Sequence, residues 1–162
     1  MAEPEEDYTE DYYHAYFGQS ADYYLRKLEQ YQNGRKFTFN LGAFFFSMLW
    51  MLYRKMFIPA LVYLGLVIAQ GMIIVSLTER SIITKETALY IDRGMTLVWG
   101  IVVGFLGNYL YLRQAETKVN RLKRTSLSPQ ERVDRLHQMG GTTYMPHILL
   151  ALILLMSVLF NR

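Results

Sequence analysis

The chain contains no cysteine. Disulfides, thiolate metal sites and cysteine nucleophiles are therefore excluded. Its three histidines, His14, His137 and His147, lie in separate segments, without an i, i+4 partner or a Glu-x-x-His pattern. A metal or haem site built by this chain alone is not expected. There is no P-loop, no nucleophile elbow and no Rossmann glycine pattern. Gly140-Gly141 stands alone and reads as a helix stop. No Lys or Arg precedes Arg26, whereas seven acids do, so the N-terminus lacks the basic start of a secretory signal. Nor does any Asp, Glu, Lys, Arg or His interrupt residues 56–77 or 94–112. Pumps and proton relays keep such a group in their spans. Only Gln70 and Asn108 are left as polar candidates there. These absences lead us to expect no enzyme, no cofactor and no transporter with its own charged site.

What the chain does have is apolar sequence gathered into blocks. The overall apolar fraction of 52% is close to that of a soluble protein, but its distribution is not. Residues 56–77 and 94–112 are uncharged runs of 22 and 19 residues, each long enough for a transmembrane helix. Met145 to Phe160 is a third run, of 16 residues, which spans only with help from 142–144. The aromatic block 39–55 is different. Thirteen residues separate Asn40 from Arg54, so its helix reaches only about 20 Å against a hydrocarbon slab of about 30 Å. It reads as an interfacial or re-entrant helix. Trp50 and Tyr53 would sit at headgroup depth, with Arg54 and Lys55 marking the boundary.

The polar segments carry the remaining pattern. Residues 1–38 form an acidic, tyrosine-rich arm with two short helices. The first, over 4–17, presents Tyr8, Tyr12 and Tyr16 at helical spacing, either as a docking face or within a partly disordered tail. The second runs from Ser20 to Asn33, with Ser20 as its N-cap. Residues 78–93 are a short loop of balanced charge. Within 94–112, Gly100, Gly104 and Gly107 share one face, as small residues do where helix backbones approach in lipid, within the chain or between subunits. Beyond it, Leu112, Ala115, Val119 and Leu122 repeat at helical spacing among Arg121, Lys123 and Arg124, an amphipathic basic extension fit to lie on anionic headgroups or a partner. Ser128-Pro129-Gln130-Glu131 is a capping box that starts one more helix.

Residues 113–144 hold seven Lys and Arg, which assigns them to the cytoplasm. Residues 78–93 then lie outside. The arm is cytoplasmic if the aromatic block does not cross. A crossing would make four spans and put Arg26, Lys27, Arg35 and Lys36 on the wrong side. The fold expected is all-α and integral to the membrane: a short interfacial helix, three transmembrane helices and amphipathic cytoplasmic helices. Loop placement explains the basic excess, so nucleic acid is not an expected partner.

Several segments match a family pattern. These are Phe39-Asn40 with Ala43-Phe44-Phe45-Phe46, then Trp50, then Leu52-Tyr53-Arg54-Lys55-Met56, with Gly107-Asn108-Tyr109-Leu110-Tyr111 and Gly140-Gly141-Thr142 further on. The chain resembles the bacterial domain of unknown function numbered 2628, over residues from about 20 to 145. The family often has Gly-Pro after the Phe triplet, where this chain has Ser47-Met48. The arm before residue 20 looks peculiar to this protein. The resemblance implies a small protein of the bacterial inner membrane and supplies no mechanism. The residues themselves point to a non-catalytic accessory, assembly or anchoring subunit of a membrane complex. The alternative is a small oligomeric pore or carrier, a homo-oligomer around the glycine face. Other membrane-protein subunits and anionic lipid headgroups are the expected partners.

Overall fold

The computed structural model describes residues 8–160. The acids of residues 1–7 and the terminal Asn161-Arg162 lie outside the described residues. Within them every regular element is helical, so the all-α expectation holds.

Helix α1, Thr9–Phe17, has Glu10 and Asp11 in its first turn, where the helix dipole favours negative charge. It ends at Gly18, which takes φ 59°, a left-handed conformation open to glycine. A 3-10 turn, Gly18–Ser20, leads into α2, Ala21–Gln32. Ser20 makes no capping bond to α2. Its hydroxyl instead accepts a hydrogen bond from Arg54 Nη2 at 3.1 Å.

Helix α3, Leu41–Tyr53, is capped by Asn40, whose side-chain oxygen accepts the Ala43 amide at 2.9 Å. It is not one straight helix. Ser47 has φ 38° and ψ −107°, which splits the aromatic block into two short turns of helix. Helix α4, Phe57–Glu79, follows with Pro59 in its first turn, where the missing N–H costs nothing. Its 23 residues rise about 35 Å. Helix α5, Lys85–Lys123, is a single element of 39 residues and about 58 Å. It absorbs the second half of the loop expected over 78–93, the span expected from Gly94 and the basic extension. Thr84 starts it by accepting the Thr87 amide at 3.1 Å.

Helix α6, Pro129–Met139, carries the expected capping box: Ser128 Oγ accepts the Glu131 amide and Glu131 accepts the Ser128 amide. Helix α7, Met145–Phe160, begins only after Tyr144, so residues 142–144 add no helical length to it. At 16 residues it rises about 24 Å. Two helices, α4 and α5, are long and apolar enough to cross a membrane.

The chain divides its packing unevenly along α5. The C-terminal half of α5 is wrapped by α1, α2 and α6, and Tyr12, Tyr16, Phe17, Ala115, Val119 and Leu136 are fully buried there. The N-terminal half is flanked by α3 and α4 and stays largely open. Among the apolar residues of α4 only Ala60 is buried, while Ile58, Leu61 and Met72 are more than two-thirds exposed. Helix α4 is therefore apolar all round yet almost uncovered by its own chain.

Candidate functional site

The structure brings some of the residues singled out in the sequence, the glycine face and Trp50, to one place, the seam where α3 crosses α5. Three glycines of α5, Gly100, Gly104 and Gly107, make the crossing close. A Cβ on Gly107 would lie 2.8 Å from the Ala43 Cβ and 3.2 Å from the Trp50 ring. On Gly104 it would lie 2.7 Å from the Phe39 ring, and on Gly100 3.1 Å from the Phe44 carbonyl oxygen. The glycine face is therefore filled by α3 of the same chain and by Phe39 just before it. It is not available to line a path between copies, which removes the basis for reading a pore from it.

A polar clasp closes the same seam. Asn108 is fully buried and accepts from Asn40 Nδ2 at 2.7 Å. Its own amide donates to Thr38 Oγ1 at 2.9 Å and to the Tyr23 hydroxyl at 3.2 Å. The Asn40 backbone amide donates to the Gly104 carbonyl at 2.8 Å. Asn108 thus works as a joint between the loop before α3 and the middle of α5. Gln70, the other polar candidate, accepts from the Trp99 indole and ties α4 to α5.

One turn further along α5, Tyr111 sits at the centre of an aromatic cluster. Its ring lies 4.7 Å from Tyr24, 5.7 Å from Phe17, 5.8 Å from Tyr16 and 6.4 Å from Trp50. Into this cluster points Arg54. Its guanidinium lies 4.8 Å from the Tyr24 ring, 5.3 Å from Tyr53 and 5.5 Å from Tyr111. Only 8% of Arg54 is exposed, and its Nε and Nη1 have no hydrogen-bond partner among the described residues. Such stacking contributes about 0.5–2 kcal/mol per ring, enough to hold a cation whose other contacts are few. Burial pushes the Tyr24 phenol up to about 12, against the lowering pull of Arg54. Burial likewise raises Tyr16, which the hydrogen bond from Gln114 partly offsets.

This geometry corrects several expectations. Arg54 and Trp50 do not present their side chains to the surroundings; they are buried core residues that pin the end of α3. Tyr53 is partly exposed, its hydroxyl 3.4 Å from that of Tyr144. Lys55 takes φ 56° and donates to the Gln138 carbonyl at 2.9 Å. Tyr12 and Tyr16 are not a free docking face; both are sealed against α5, and only Tyr8 stays partly exposed. The apolar side of the basic extension is covered too. Leu112, Ala115, Val119 and Leu122 are buried under α1, α2 and α6, the head of the molecule, so this face cannot lie on lipid. Lys123 donates to Thr9 Oγ1 at 2.7 Å, while Arg121 and Arg124 remain exposed. Gly140-Gly141 does more than stop a helix. The Gly141 amide donates to the Tyr16 carbonyl at 2.7 Å, and a side chain on Gly140 would collide with that carbonyl.

The sequence model of one family, described as a protein of unknown function (DUF2628), matches residues 10–116 of the 162. The chain belongs to that family. No curated protein and no solved structure matches it. The DUF2628 stretch starts earlier than the resemblance suggested and ends sooner. It takes in Tyr12 and Tyr16 and leaves out Gly140-Gly141-Thr142. It also contains both sides of the seam: Asn40, Ala43 and Trp50 on one, Gly104, Gly107, Asn108 and Tyr111 on the other. Asn40 before an apolar helix had a readable capping signal. Nothing in the sequence marked Arg54 for burial.

Proposed function

We propose that the chain is a non-catalytic integral membrane protein that works by contact, as an accessory, assembly or anchoring subunit of a larger membrane complex. It would sit in a bacterial inner membrane with α1, α2 and α6 on the cytoplasmic side. The reading rests above all on α4, an apolar helix of spanning length that its own chain leaves almost bare. The bases of residues 113–144 give the orientation. Helices α4, α5 and α7 would form three spans, with the broken α3 at the inner face. The placement of α7 agrees with that. The Thr143 amide donates to the Tyr53 carbonyl at 2.9 Å, so α7 and α4 start from the same turn of chain. A mismatch of about 6 Å for α7 is absorbed by local bilayer thinning at a modest cost.

Contact function follows from how thin this bundle is. Among the described residues α4 packs mainly on α3 and α5, and α7 mainly on α3. Much of both helices is left for other subunits or lipid. The test is a photo-cross-linking amino acid placed at Ile73 on α4, and separately at Ile101 on α5, in native membranes. The expected result is a discrete heavier species at the chain's natural abundance. Recovery of the uncross-linked chain alone from both positions would overturn the reading, and a species of twice the chain's mass would make the partner a second copy.

A further inference from the structure

We propose that the groove between α4 and α5 holds one anionic phospholipid, its phosphate among Lys55, Arg113 and Lys118 and one acyl chain along α5 down to Trp99. This rests on the membrane reading above and adds a specific site to it. Two cavities make the groove. The first, about 710 Å³, is lined on its polar side by Lys55, Arg113, Gln114, Thr117 and Lys118, with no acid on its walls. The second, about 310 Å³, has only apolar and aromatic walls, among them Val62, Leu66, Trp99, Val102 and Leu106. Ile58, Pro59 and Leu110 line both, so the two adjoin.

The order along the helices matches a lipid in one leaflet. Going down α5 from the bases, Lys118 and Arg113 come first, then Leu110, then Leu106, Val102 and Trp99. From Leu110 to Trp99 the drop is about 16 Å, which is about half of a 30 Å hydrocarbon slab. Helix α4 starts at the same level, just after Lys55, and runs down the other wall. Three cations at the mouth call for an anion, and the dry floor calls for a hydrocarbon tail. An acidic peptide would satisfy the mouth but leave the floor empty; an uncharged lipid would leave the bases without a counterion. The bases have donors to spare. Lys55 gives one hydrogen to Gln138, which leaves its ammonium two more. Arg113 is exposed and Lys118 partly so.

Trp99 reports on the occupant directly. The only other tryptophan, Trp50, is 7% exposed and packed against Gly107. The full chain is reconstituted in vesicles that contain phosphatidylglycerol or phosphatidylcholine with brominated acyl chains, at equal mole fraction, and tryptophan quenching is titrated. The expected preference for phosphatidylglycerol is about fivefold or more, the scale of one surface cation acting on an anionic lipid. Arg113→Gln with Lys118→Gln leaves only Lys55 at the mouth and should cut the preference at least about fivefold. Arg121→Gln with Arg124→Gln removes the same charge away from the groove and should leave the preference intact. Equal quenching by the two lipids, or equal loss in both double variants, overturns the proposal while the membrane reading stands. No quenching by either lipid would show that α5 does not enter the bilayer and would overturn both.

Discussion

Ser47 is the residue whose backbone and side chain disagree. Its φ of 38° belongs to a region that side chains avoid, and it breaks the aromatic helix in the middle. Strain of this kind costs about 1–3 kcal/mol. Glycine has no Cβ to clash there. Ser47→Gly should therefore raise stability by about 1 kcal/mol, the gain being reduced by the looser unfolded chain. Thermal unfolding in mild detergent reads it, and a lowered midpoint would contradict the account. Arg54 and Trp50 show the opposite difficulty. A ring and a cation at the end of an apolar block suit headgroups as well as they suit a stacked core. The two cases differ in whether other chain segments fold back over the block, and local pattern carries no record of that. Tyr24 and Tyr111, far away in sequence, decide the matter.

At the scale of elements, much was legible. Capping chemistry located the start of α6, and glycine the end of α1. Apolar length located α4 and the middle of α5. The unity of α5 was not legible, because charge at Glu86, Asp92 and Arg93 looks like a loop when judged by polarity alone. A helix end that leaves the apolar zone stays helical, since its backbone bonds are internal. The packing of the glycine face was legible only as a choice between self and partner. The structure decides it for α3. Gly107→Val pushes a branched side chain into Ala43 and Trp50, and overpacking of this kind costs about 1–3 kcal/mol. The expected result is a lower unfolding midpoint and altered Trp50 fluorescence with no change of particle size in detergent. A change of size at constant stability would return the glycines to an interface between subunits.

Taken whole, the molecule has a head built around tyrosines and a bundle clothed in aliphatic side chains. The head should therefore be sensitive to alkali. Burial raises Tyr13 and Tyr24 to about 12, above their ordinary value of 10. The folded state then binds more protons than the unfolded one between pH 10 and about 12, so stability is full below pH 10 and falls as pH rises through that window. Phenolate absorbance should lag behind that of free tyrosine and then rise together with loss of the head's ellipticity. Simple titration near pH 10 with the helices intact would refute it.

Because α5 runs unbroken from the apolar bundle into the head, the two ends share one rigid axis. If the lower half leans to suit a thinner membrane, a lean of about 10° swings the far end of this 58 Å mast sideways by about 10 Å. Whatever is moored to the tyrosine head would then feel the thickness of the lipid around it.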